Sequence, residues 1–194
     1  GNEPEKPDVT ETKTGTLAFE DIWPGGGDYD MNDVIVEYNR AVSFDKKNQV
    51  TKIVDTFTPV HDGAVFANAF AYQVDKGQFG KMTFSATTEG IHTESATSSI
   101  IVCPNVKQAI QKVYTITREF TGGSFNKKDL KSYNPYIIVK YAEGQKGRTE
   151  VHLPKHEATS LADLSLAGTQ KDAYYIDKEG AYPFAIDIPI LNFI

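Results

Sequence analysis

Apolar and polar residues alternate along most of the chain with a period of two, the spacing of a β-strand with one buried face. The pattern begins in TLAFEDIW, where Leu17 and Phe19 share one face. In the next extended segment Val34, Val36 and Tyr38 do the same. Further short segments rich in β-branched and aromatic residues follow, separated by turns rich in Asn, Asp and Gly. We therefore predict an all-β protein, an antiparallel two-sheet β-sandwich with jelly-roll-like connections.

Three segments have helical character, and all of them are short. Residues 124–133 (SFNKKDLKSY) and 159–166 (TSLADLSL) each begin with residues that commonly cap a helix. Residues 105–114 (NVKQAIQKVY) fit either one helical turn or the start of a strand, and we favour the strand. The predicted sandwich thus carries only a few short helices.

The chain has 194 residues, enough for one domain and a tail. Residues 1–14 are rich in Pro, Glu, Lys and Thr and have little to bury, so we predict a flexible tether there and a single β-sandwich domain over 15–194. The chain starts with Gly rather than Met, which is compatible with a trimmed export signal. The sequence has no apolar run of the roughly 20 residues that a membrane helix needs.

The charge of the chain disfavours nucleic acid as a partner. Its net charge is -6, and its basic residues are scattered rather than clustered as phosphate binding requires. The single cysteine, Cys103, excludes an internal disulfide and ends an apolar run, so we expect a buried core thiol.

Enzyme motifs are weak. Ser124 lies in GGSFN, which is not the G-x-S-x-G pattern of a nucleophile elbow, and the glycines of residues 77–82 are too close together for a phosphate loop. His152 and His156 are four residues apart, but Pro154 lies between them, so we expect exposed histidines beside a turn rather than a zinc site. No sequence feature indicates catalysis, although a glycosidase acid pair could be hidden in any acidic β protein.

The most unusual stretch is the acidic segment that starts at Glu20 and ends at Asp33. Asp28, Asp30 and Asn32 stand at positions 1, 3 and 5 of a D-x-D-x-N run. Calcium takes roughly six to eight oxygen ligands, and a chain wrapped around the ion can offer one from every second residue. We therefore predict a calcium site there, against the alternative of a solvated turn rich in Asx residues.

Further ligands are expected from neighbouring acids. Asp33 either binds the ion or orients a neighbour, Asp21 reaches in from the preceding strand, and Glu20 is the weaker candidate because it is one residue out of phase. Tyr29 and Met31 should point away from the ion and pack on the domain. The three glycines at positions 25–27 would give the backbone freedom to enter the wrap, and the loop is not an EF-hand, because position 6 is not Gly and position 12 is not Glu.

Residues 19–38, FEDIWPGGGDYDMNDVIVEY, resemble the signature of LruC-type domains, which occur in exported bacterial surface proteins. The resemblance covers nearly all of the chain after the tether, although similar domains usually continue further past the final strand. It implies a β-rich module with a calcium loop, carried on a lipoprotein of the outer membrane or released outside the cell. It also implies that the tether follows a lipidated cysteine, which would be the only membrane attachment. The resemblance to LruC-type domains also rests on residues 62–74, 134–139, 150–154 and 182–189.

Together these observations predict a non-catalytic binding or adhesion module of the cell surface, with a calcium ion in its acidic loop. The ligand would be a glycan, an extracellular matrix component or a surface protein. Two alternatives stay open: a structural domain of a larger surface assembly with no ligand of its own, and a carbohydrate-active enzyme.

Overall fold

A computed structural model describes residues 8–120, 123–166, 175 and 182–192 of the chain. Strands are the predominant secondary structure among these residues, and the helices are single turns. The one α-helix among these residues, α1, spans Lys76–Phe79, and 3-10 helices span Val106–Gln108, Lys127–Asp129, Tyr141–Glu143 and Leu164–Leu166. The strands are β1 (Val9–Phe19), β2 (Val34–Phe44), β3 (Gln49–His61), β4 (Ala69–Gln73), β5 (Thr83–Ala86), β6 (His92–Glu94), β7 (Ser99–Cys103), β8 (Tyr114–Glu119), β9 (Phe125–Asn126), β10 (Asn134–Ile138), β11 (Glu150–His152) and β12 (Ala185–Ile188).

The strands form two antiparallel sheets. Sheet A has seven strands in the order β12-β1-β2-β3-β8-β5, with β9 also paired to β3. Sheet B has five strands in the order β11-β10-β4-β7-β6. After the β1-β2-β3 meander the chain passes repeatedly from one sheet to the other. The predicted all-β sandwich with a few short helices is confirmed.

The inward faces of the two sheets form the main core. Val34, Val36 and Tyr38 all lie in it, as their alternation predicts, and from sheet B they are met by side chains such as Phe70 and Tyr72. Burial of apolar side chains on this scale makes the largest favourable contribution to the stability of a sandwich. Cys103 is also buried in the core, which confirms the prediction of a buried thiol.

The predicted boundary of the tether is too late. β1 begins at Val9 and pairs with β2 from Val9 opposite Phe44 to Phe19 opposite Val34. Residues 9–14 therefore belong to the sandwich, because their exposed polar side chains still allow the backbone to hydrogen-bond to a neighbouring strand. Residues 1–7 lie outside the described part of the chain.

Two local predictions are wrong. The segment 105–114 starts as a 3-10 helix at Val106–Gln108 rather than as a strand, with the N–H of Val106 donated to the carbonyl of Asn68. His152 is fully buried instead of exposed, because on β11 its ring stacks on Tyr136 and its nitrogens contact the side chains of Glu150 and Asn134.

A buried ion network lies between the sheets. Arg40 donates from Nε and Nη2 to the two carboxylate oxygens of Asp55, at 2.6 and 3.0 Å, and Arg118 donates to the same group at 3.3 Å. The hydroxyl of Tyr72 adds a fourth hydrogen bond at 3.1 Å. The guanidinium groups hold the pKa of Asp55 below its usual range, although burial alone would raise it. The network therefore keeps Asp55 ionised inside the protein.

Among the residues that the structure describes, no helix has the length and apolar character needed to cross a membrane.

Candidate metal centre

The acidic loop, residues 20–33, connects β1 to β2 at one end of sheet A. Its two ends are held close together, since Phe19 at the end of β1 pairs with Val34 at the start of β2. The backbone N–H of Asp21 donates to Oδ2 of Asp33 at 2.8 Å, which closes the base of the loop. The N–H of Glu20 is donated to the carbonyl of Phe184, just before β12. Both strands that flank β1 therefore fix the loop in place.

Three carboxylates of this loop converge. One oxygen from each of Glu20, Asp28 and Asp30 lies within 4.8 Å of the other two. Glu20 is 1% exposed, whereas Asp28 and Asp30 are exposed. The cluster thus has a buried floor and a solvent-facing side from which an ion can enter.

Glu20 is the most perturbed member of the cluster. Its pKa is raised to about 7, first by burial and then by the charges of Asp33, Asp30 and Asp28, while the hydrogen bond from the N–H of Met31 lowers it. That hydrogen bond, 2.6 Å long, occupies only Oε1. Oε2 lies beside Gly27, where a Cβ would come within 3.3 Å of it. The absence of a side chain at position 27 therefore keeps space next to this oxygen.

The residues between the acids point away, as predicted. Tyr29 stacks on Tyr182, with ring centroids 5.1 Å apart, and Met31 is buried against Ala18 and Ile35. Tyr29 and Met31 both have left-handed backbones, with φ of 54° and 57°. Two left-handed residues alternating with Asp28 and Asp30 make the wrap that brings the carboxylates together.

The glycines act differently from the prediction. None of the residues 25–27 has a left-handed backbone, so the wrap does not depend on the conformational freedom of glycine. What glycine gives at position 27 is space, because a Cβ there would be only 2.8 Å from Cγ2 of Ile22 as well as close to Glu20. The left-handed backbone conformations occur instead at Tyr29 and Met31, whose side chains pack on the domain.

Asp21 and Asp33 lie outside the converging group. The carboxylate of Asp21 accepts a hydrogen bond from Nδ2 of the fully buried Asn68, at 2.8 Å. The pKa of Asp21 is raised to about 6, first by burial and then by the charge of Asp33, with the Asn68 amide acting in the opposite direction. Asp33 caps the N–H of Asp21. These two acids thus hold the base of the loop, and the buried Glu20 takes the place expected for Asp21.

Asn32 faces a neighbouring loop. Its Nδ2 donates to Oδ2 of Asp30 at 2.5 Å, and its Oδ1 points toward Gly63, where a Cβ would come within 2.8 Å. The N–H of Gly63 is donated to the carbonyls of Asn32 and Asp33. Asn32 therefore orients Asp30 and docks the acidic loop on residues 61–68.

Asn68 supports the loop and was missed from the sequence. Besides its bond to Asp21, its Oδ1 accepts from the N–H of Lys140 at 3.0 Å and its carbonyl accepts from the N–H of Val106. Through its side chain and its backbone carbonyl, this buried residue thus joins the acidic loop to two other connections. The only signal in the sequence is a polar residue directly before the apolar strand β4, which is not specific.

The donor set fits a hard cation. All three converging atoms are carboxylate oxygens, the ligands that calcium and magnesium prefer, with no sulfur or imidazole that would favour zinc. Calcium binds oxygens at 2.3–2.6 Å, so two of its ligands are at most about 5 Å apart. The separations within the cluster are in that range. Waters and backbone carbonyls would have to complete the coordination shell.

Comparison with known families gives one match. Residues 48–193, most of the chain, match the family model described as a domain of unknown function, DUF4842. The chain belongs to the DUF4842 family. No curated protein and no solved structure matches it. The DUF4842 match begins after the acidic loop but includes Gly63 and Asn68, which dock that loop on the rest of the domain.

Proposed function

We propose that this domain is a non-catalytic binding module of the cell surface, whose acidic loop holds a calcium ion. The observation that carries the calcium proposal is the convergence of Glu20, Asp28 and Asp30 around one point, with the buried Glu20 at its floor. Three carboxylates at this separation repel one another strongly, and a dication between them converts that repulsion into attraction.

In this proposal Glu20, Asp28 and Asp30 are ligands, while Asn32, Asp33 and Asp21 support them. Asn32 orients Asp30 through its amide, and the bond between Asp21 and Asp33 closes the loop. The ion would fix the acidic loop to both flanking strands without a disulfide. An affinity between about 10⁻⁴ and 10⁻³ M would be sufficient outside the cell, where calcium is abundant.

Export and attachment to a bacterial surface are part of the same proposal. Their support is the resemblance of residues 19–38 to LruC-type domains. Protease digestion of intact cells that express the full-length protein would test it. Cleavage without cell lysis is expected, and protection until lysis would contradict a surface location.

Calcium titration calorimetry tests the metal proposal directly. The wild type should bind one ion, and Asp30→Ala should weaken binding at least about tenfold because it removes a central carboxylate. Asp129→Ala is the matched control, since Asp129 is an exposed carboxylate outside the loop. Equal calcium binding by the wild type and Asp30→Ala would contradict the site.

The binding function requires a ligand screen. The purified domain is applied to arrays of glycans and matrix proteins, once with calcium and once with excess chelator. A ligand that is lost with chelator would place the acidic loop in, or next to, the recognition surface. Absence of any ligand in both conditions would overturn the binding proposal in favour of a structural domain of a larger assembly.

A further inference from the structure

A cleft separate from the acidic loop opens between the two sheets. Its volume is about 330 Å³, within the range of pockets that hold small ligands. Lys13 of β1, Arg40 of β2 and Asp187 of β12 line it from sheet A, and Pro135 of β10 lines it from sheet B. None of its lining residues belongs to the acidic loop.

Arg40 gives this cleft a fixed cationic wall. Its side chain is 10% exposed, and its guanidinium stacks 3.9 Å from the centre of the Tyr133 ring. The bonds to Asp55 use Nε and Nη2, so Nη1 takes no part in that ion pair. A guanidinium held on two sides in this way loses little side-chain entropy when it binds a further acceptor.

Two lysines add positive charge at the cleft. Lys13 and Lys131 are both exposed, and neither forms an ion pair with a carboxylate in the described part of the chain. His156 also lines the cleft, and its Nδ1 contacts the carbonyl of Pro154. In a protein with a net charge of -6, this local excess of cations favours an anionic ligand.

The remaining lining residues suit a ligand that is not a simple anion. Asp187 presents a carboxylate that already accepts a hydrogen bond from the hydroxyl of Tyr38, at 2.8 Å, and can accept others. Ser132 supplies a hydroxyl, and Leu130 and Leu153 supply apolar surface beside the ring of Tyr133. A bare anion would make no use of the Asp187 carboxylate or of the apolar wall.

We propose that this cleft binds an acidic saccharide. The carboxylate of an acidic sugar would pair with Lys13, Lys131 and Nη1 of Arg40, its hydroxyls would bond to Asp187, and its apolar ring face would contact the wall of the cleft. The inference gives a ligand class to the binding module proposed above, and it does not require calcium in the acidic loop.

The test uses trigalacturonic acid as the probe and its methyl ester as a neutral probe of the same shape. Binding is measured by calorimetry and by saturation-transfer NMR in excess chelator, so that calcium can neither bridge sugar and protein nor occupy the acidic loop. The double variant Lys13→Gln, Lys131→Gln is compared with Lys52→Gln, Lys128→Gln, which removes the same charge from exposed lysines outside the cleft. Thermal unfolding checks that all variants fold alike.

We expect the acid to bind and the ester not to bind. The cleft variant should weaken binding at least about tenfold, the control variant should leave it unchanged, and added salt should weaken it. Equal binding by the cleft and control variants, equal binding of acid and ester, or no binding of the acid would overturn the proposal. Binding of an acidic peptide of Asp and Glu in preference to the sugar would overturn the ligand class. Because chelator is present throughout, loss of calcium binding alone cannot produce any of these outcomes.

Discussion

Replacing Glu20 by Gln should stabilise the calcium-free domain, and bound calcium should remove much of that advantage. Gln keeps an oxygen that can accept the N–H of Met31, but it removes the buried charge. In the calcium-free protein that charge is unfavourable, because the pKa of Glu20 is raised from 4.5 to about 7. With calcium bound, the same charge becomes a ligand.

The raised pKa determines both the size and the sign of the effect. Because the pKa of Glu20 is higher in the folded protein, ionisation of this carboxyl group destabilises the fold. The effect is absent below the unfolded pKa of about 4.5 and grows as the pH rises toward 7. The free energy of unfolding is then lowered by about 3 kcal/mol near pH 8 and by about 1 kcal/mol near pH 5.5. Without calcium, Glu20→Gln should therefore be more stable than the wild type by these amounts.

Urea unfolding in excess chelator, followed at both pH values, measures this difference. Calcium at about 100 times its Kd should narrow the difference near pH 8 by up to about 2.7 kcal/mol, because only the wild type gains the full binding energy of the ion. The reasoning is refuted if the variant is no more stable than the wild type in chelator near pH 8. It is equally refuted if the difference does not shrink at the lower pH, since the raised pKa of Glu20 requires that dependence.

Two further predictions concern the interior and the support of the loop. Asp55→Asn should lower the free energy of unfolding by about 3–5 kcal/mol, because it leaves two buried guanidinium groups without their counter-charge, whereas Asp129→Asn should have no effect in the same urea experiment. Since the pKa of Asp55 is lowered, its contribution is present above its unfolded pKa and is lost as the pH falls, so the variant should lose less stability on acidification than the wild type. Gly63→Ala should destabilise the domain by about 1–3 kcal/mol and weaken calcium binding, because its Cβ would approach a backbone carbonyl of Asn32 to 2.9 Å. Gly26→Ala is the control, because the nearest atom to its Cβ would be the hydroxyl oxygen of Tyr29, at an ordinary distance of 3.5 Å. Equal calcium affinities of the two variants would contradict the role of residues 61–68 in supporting the acidic loop.

The sequence alone was sufficient for the architecture because strands with one buried face carry their own pattern. The common face of Val34, Val36 and Tyr38 predicted the core side of β2, and the alternation of Asp28 and Asp30 with Tyr29 predicted which loop residues would pack on the domain. These are local properties, set by the direction of successive side chains along one segment.

Local pattern was not sufficient for the start of β1. Residues 9–14 have the polar composition of a tether, but a backbone ladder with β2 pairs them regardless of their side chains. A strand segment that is stabilised mainly by backbone hydrogen bonds to its neighbour need not show alternating apolar residues. The start of β1 is therefore visible only in the folded protein.

The tertiary structure alone decided which acids converge. The alternation of side chains along β1 favoured Asp21 over Glu20 as a ligand. Beyond the end of β1, however, contacts with other segments set the direction of each side chain. The carboxylate of Asp21 is hydrogen-bonded to Asn68, and the N–H of Met31 holds Glu20 toward the cluster. The cleft is also a product of the fold, since Lys13 and Lys131 are more than a hundred positions apart in the chain and come to line one cleft only in the folded protein. The sequence determined where charge is concentrated, whereas the packing of loops and sheets determined which charges share a site.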